Sequence, residues 1–62
     1  MLCVSEILLK HQEAECFADL IELVKEGARG GERFFEMDVK PEYADTPDDW
    51  ENQLESAFNG VV

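Results

Sequence analysis

The sequence predicts a small α+β domain, residues 1–62, in which two amphipathic helices pack on a short two-stranded sheet. Three observations predict it. An apolar stripe at helical spacing lies in the first half, an alternating segment follows a glycine cluster, and a second apolar stripe follows a proline-marked helix start.

The first stripe runs through Phe17, Leu20, Ile21, Val24 and Ala28, spaced i, i+3, i+4, i+7 and i+11. That spacing places one apolar face on a helix covering about Gln12 to Ala28. Cys16 and Leu23 widen the face, Glu13 and Glu15 suit the positive end of the helix dipole, and Gly27 with Gly30-Gly31 supplies stop signals. Next, Phe35, Met37 and Val39 alternate with Glu36, Asp38 and Lys40, the period of a half-buried strand over 33–40 that Pro41 closes. Thr46 offers an N-cap oxygen, Pro47 suits the first helical position, and Asp48 and Asp49 load the first turn with negative charge. The helix so begun turns Trp50, Leu54, Ala57 and Phe58 inward and meets a stop at Asn59-Gly60.

Residues 2–9 fit two readings, because Val4, Ile7 and Leu8 suit a helical turn while the same stretch suits a short buried strand. A strand at 33–40 needs a hydrogen-bonding mate. If residues 2–9 supply it, the domain is β-α-β-α with parallel strands joined by a crossover helix. If a second subunit supplies it, the domain is α-β-α completed by dimerisation.

Fifteen acids against five bases give a net charge of -10 and a pI near 4.2. Such a surface repels nucleic acid and anionic membranes and attracts basic protein surfaces. No apolar run reaches the roughly 18 to 20 residues of a membrane span, and the first residues lack the basic start of a signal peptide. With only Cys3 and Cys16, reduced thiols and a cytoplasmic setting are expected.

Nothing in the sequence assembles a catalytic constellation. His11 is the single histidine, set among Lys10, Gln12 and Glu13 as a surface residue. Cys3, His11 and Cys16 lack metal-ligand spacing, and Asp45 to Glu51 fails as a calcium loop because Pro47 and Trp50 stand at its third and sixth positions. The expectation is therefore a non-enzyme with no catalytic residue, no metal and no cofactor.

The informative feature is acid placement. Glu15, Asp19, Glu22 and Glu26 fall at i, i+4, i+7 and i+11 along one edge of the first helix, and Asp48, Glu51 and Glu55 form a row on the second. Like charges at this spacing cost a helix roughly 0.2–0.5 kcal/mol per pair, so something offsets that cost. One reading is docking into a basic groove, including nucleic-acid mimicry against a nucleic-acid-binding protein. The competing reading is a solvated face that confers solubility. Phe34 points away from the core side of its strand and needs cover, from the second helix, a subunit or a partner. Trp50 is either core or an interface anchor.

These observations predict a small acidic binding module, of the kind a phage or mobile element encodes as an inhibitor, occupying a basic site on a host protein. Its partner-binding residues are Asp19, Glu22, Glu26, Phe34, Asp48, Trp50, Glu51 and Glu55. The alternative is a homodimeric structural or assembly subunit whose acid serves solubility.

Overall fold

A computed structural model describes residues 1–61. The chain is mixed α+β, with strand β1 (Leu2–Cys3), helices α1 (Val4–Lys10) and α2 (Phe17–Arg29), strand β2 (Phe35–Glu36) and helix α3 (Trp50–Asn59). The two strands pair in parallel, Leu2 against Phe35 and Cys3 against Glu36. Three helices form where two were expected. Residues 2–9 contain both of the alternatives: two residues of strand, then a helix that buries Val4 and Ile7 at i, i+3. The crossover from β1 to β2 therefore carries α1 as well as α2.

The core consists of Val4, Ile7, Phe17, Leu20, Val24, Ala28, Leu54, Ala57 and Phe58, with Phe35 stacked on Phe58 at a ring separation of 5.3 Å. Helix α2 is central. Phe17, Leu20, Val24 and Ala28 of its apolar stripe are buried and Ile21 is half-buried, and the helix packs most extensively on α3. After it, Gly31 adopts φ 102°, where a side chain would be strained, and turns the chain toward β2.

Segment boundaries differ from the sequence reading because of individual bonds that periodicity does not register, some between residues distant in sequence (Asp45 with Phe17, Asp38 with Ser5) and some local. The first long helix starts at Phe17 instead of Gln12, because residues 11–14 close a turn (Ala14 N–H to His11 C=O, 3.2 Å). The free N–H of Phe17 donates to Asp45 Oδ1 at 2.9 Å, so a carboxylate from beyond β2 caps α2. Glu13 and Glu15 precede the helix instead of lying in its first turn.

The strand expected over 33–40 ends at Glu36. Asp38 leaves the ladder to accept from Ser5, taking the backbone N–H on Oδ1 at 3.1 Å and the hydroxyl on Oδ2, and thereby caps α1. Val39, expected to face the core, is 41% exposed as a result. Thr46 is not the N-cap of the last helix. Its Oγ1 donates to Pro41 C=O and accepts from Tyr43 N–H, both at 3.1 Å, folding the connection around the fully buried Pro41. Helix α3 consequently starts at Trp50, three residues past Pro47, whose carbonyl accepts from Trp50 N–H in a preceding turn.

The hydroxyl and backbone N–H of Ser5 hold the Asp38 carboxyl below its ordinary value. A folded-state value below the unfolded one contributes stability above the ordinary carboxylate range and loses it as pH falls through the folded value. Urea midpoints of the wild type and Asp38→Asn should therefore differ at neutral pH and converge on acidification below about pH 4. A gap that stays constant with pH would assign the effect to something other than this carboxylate.

Candidate docking face

Helix α2 has α1 and β1 on one side and α3 on the other, which leaves the side opposite its buried stripe open to solvent. Asp19, Glu22 and Glu26, at i, i+3 and i+7, occupy that open side and are all exposed. Lys25 reaches Glu22 at 3.4 Å across i,i+3. The Asp19 carboxylate accepts from Glu15 N–H at 3.0 Å, which fixes its position just inside the helix start. Glu15 itself lies before the helix, so the expected row of four begins at Asp19.

Glu13 takes the vacant place at the head of the row. Its carboxylate lies 3.0 Å from His11 Nδ1, and hydrogen bonds from its own backbone and from His11 hold it below its ordinary value. Glu13, Asp19, Glu22 and Glu26 surround a shallow recess of about 330 Å³ floored by Ala14 and Leu23. Tyr43 stands beside its upper end: burial raises the phenol above its ordinary value, and the nearby Asp19 and Glu13 carboxylates add to the effect. A second recess of about 260 Å³ lies between α1 and α2, lined by Leu2, Ile7, Leu23 and Gly27 with Glu6, Lys10, His11 and Glu26 at its edge. Lys10 is 3.6 Å from Glu6.

The other acidic row stands elsewhere. Glu51 and Glu55 are exposed on α3, and Asp48 is exposed in the turn before it. The groove between α2 and α3 is lined by Ile21, Lys25, Asp49, Asn52, Gln53, Ser56 and Ala57, and by none of the acids predicted as partner-binding. The groove between the two helices therefore carries none of the row acids. Trp50 is half-buried and packs against the core. Phe34 is not covered by α3 and is 70% exposed. In the parallel register it shares the outer sheet face with Met1, itself 69% exposed.

Cys3 and Cys16 are free. Burial raises the Cys3 thiol, and the neighbouring Asp38 and Glu36 carboxylates add to the shift, which lowers its thiolate fraction and nucleophilicity. Among the described residues no three His, Cys, Asp or Glu side chains are grouped to hold a metal ion, and no helix is long and apolar enough to cross a membrane.

Comparison with family models, curated proteins and solved structures finds no match. The functional reading therefore rests on the residues themselves. Of these, sequence reasoning missed Glu13 and Leu23 as parts of the site. Leu23 was visible only as an edge of the apolar stripe, and Glu13 joins the row through a turn that periodicity does not register.

Proposed function

We propose that this chain is a small protein-binding module that occupies a basic site on another protein, in the manner of an inhibitor, through the open face of α2. The observation that carries the reading is the placement of Asp19, Glu22 and Glu26 together with Glu13 around one recess, with no cation lining it. Lys25 reaches Glu22 from outside the recess and His11 bonds Glu13, so the repulsion among the four carboxylates is only partly compensated within the chain, and a cationic surface seated on them relieves the rest. The absence of the row acids from the groove between α2 and α3 favours docking through one face over imitation of a nucleic-acid duplex, which calls for a continuous double row.

The test is capture from bacterial lysate with the wild type, with Asp19→Lys/Glu22→Lys/Glu26→Lys, and with Asp48→Lys/Glu51→Lys/Glu55→Lys. A basic partner should be retained by the wild type and the α3 variant, lost by the α2 variant, and released by salt, since exposed charges are screened over about 8 Å at physiological ionic strength. Retention by all three proteins at high salt would refute the reading.

A second reading, a homodimeric subunit, is favoured by the exposed Phe34 and Met1 on the outer sheet face. On that reading Phe34→Glu should halve the mass measured by light scattering. On the docking reading the mass is monomeric before and after the substitution, and the melting temperature shifts little.

A further inference from the structure

We propose, resting on the docking reading above, that the partner element recognised by α2 is a short basic peptide segment carrying an aliphatic side chain next to its Arg or Lys. The argument is the contrast between the two recesses that meet at Leu23 and Glu26. The first has an apolar floor and an edge of four carboxylates, of which one, Glu22, is paired with Lys25 from outside the recess. That suits an Arg or Lys side chain, whose methylene stem lies along Leu23 and Ala14 while its charged head reaches the carboxylates.

The second recess has a larger apolar floor, and its edge is nearly balanced, because Lys10 is already paired with Glu6. A second cation gains little there, whereas an aliphatic group gains by leaving water. Gly27 and Leu2 shape this floor: a Cβ on Gly27 would lie 2.7 Å from Leu2 Cδ2, so the absent side chain is what lets Leu2 lie flat against α2. Since Leu23 and Glu26 belong to both recesses, neighbouring side chains of one segment span them. Anionic lipid and nucleic acid are repelled by the same carboxylates. A second copy of this chain brings ten net negative charges with it.

The full chain, isotopically labelled, is titrated at low ionic strength with three synthetic peptides and followed by amide chemical shifts. One peptide carries alternating Arg and Leu spaced by glycine, one has Ser for each Leu, and one has Glu for each Arg. The Arg/Leu peptide should shift the amides of Ile7, Leu23, Glu26 and Gly27 and bind about ten-fold or more tightly than the Arg/Ser peptide, the factor expected for taking one aliphatic side chain out of water. Leu23→Ser should remove that advantage. Glu22→Gln/Glu26→Gln, exposed and neutral to folding, should weaken both Arg peptides.

Equal binding of the Arg/Leu and Arg/Ser peptides overturns the inference and leaves the docking reading standing. Failure of both Arg peptides, or equal binding by the Glu/Leu peptide, overturns the two together. Shifts at Leu23 on concentrating the protein alone would assign the groove to a second copy and overturn the proposed occupant.

Discussion

Replacing Leu54 with alanine is expected to remove a large part of the domain's stability at 25 °C. Leu54 is fully buried and stands where α3 packs on α2, the most extensive contact in the molecule. Truncating such a leucine costs about 2–5 kcal/mol, from lost transfer energy and the cavity left behind. Against this, a chain of this length has a total stability of about 3–9 kcal/mol at the usual 0.05–0.15 kcal/mol per residue. The substitution therefore removes at least about a fifth, and at the upper end most, of what holds the domain together. Leu54→Met, which keeps the volume, should cost less than about 1.5 kcal/mol, and Glu55→Ala, on the neighbouring exposed position, should change stability by no more than about 0.5 kcal/mol. Urea titration followed by far-UV circular dichroism separates the three. A Leu54→Ala midpoint equal to that of Glu55→Ala would mean that α3 is not bound to the core through this face.

The parts of the fold that were legible in the sequence are those fixed by a local pattern. Phe17, Leu20, Val24 and Ala28 form a stripe because only one side of a helix can be buried here, and burial selects the residues that repeat every three or four positions. Trp50, Leu54, Ala57 and Phe58 follow the same logic. Boundaries depended instead on individual bonds, two of them nonlocal. The start of α2 is set by Asp45, and the end of β2 by Asp38 turning to Ser5, each more than twenty residues from its partner in sequence. Periodicity carries no record of such pairings. Thr46 is a clear instance of a correct local preference overridden: its hydroxyl suits an N-cap, yet Pro41 C=O and Tyr43 N–H claim it first.

The candidate site divides in the same way. Asp19, Glu22 and Glu26 share a face because helical spacing says so, and the structure keeps them there. Whether a second row lies beside the first depends on how α3 crosses α2, a property of side-chain packing that no single-helix pattern contains. The groove that the crossing leaves is lined by residues such as Lys25, Asn52 and Gln53, and not by Glu51, Glu55 or the α2 acids. Charge composition gave a similar partial view. A count of acids does not distinguish those left on the surface from Asp45, which serves the fold, its carboxylate satisfying a helix terminus.

That division of labour leads to the second large effect. Asp45→Ala should lower the melting temperature by about 4–8 °C, because losing an N-cap typically costs about 1 kcal/mol and each kcal/mol displaces a domain of this size by about that interval. The loss begins at Phe17, whose N–H then has no acceptor while its side chain remains in the core. It spreads along residues 37–47, since Asp45 is one of the two carboxylates that bind this connection to the helices, the other being Asp38 on Ser5. Asp45→Asn keeps a cap oxygen and should retain most of the stability, which separates the hydrogen bond from the charge. Asp48→Ala removes an equal charge a few residues away without touching a helix terminus. If the caps bind the connection, amide exchange across 37–47 should accelerate in Asp45→Ala, accelerate further in Asp38→Ala/Asp45→Ala, and stay at the wild-type rate in Asp48→Ala. Because both caps anchor the same segment, the double variant should depart from the sum of the two singles. Strict additivity, with exchange unchanged between residues 39 and 43, would mean that each carboxylate caps its own helix and that Pro41 alone holds the connection down.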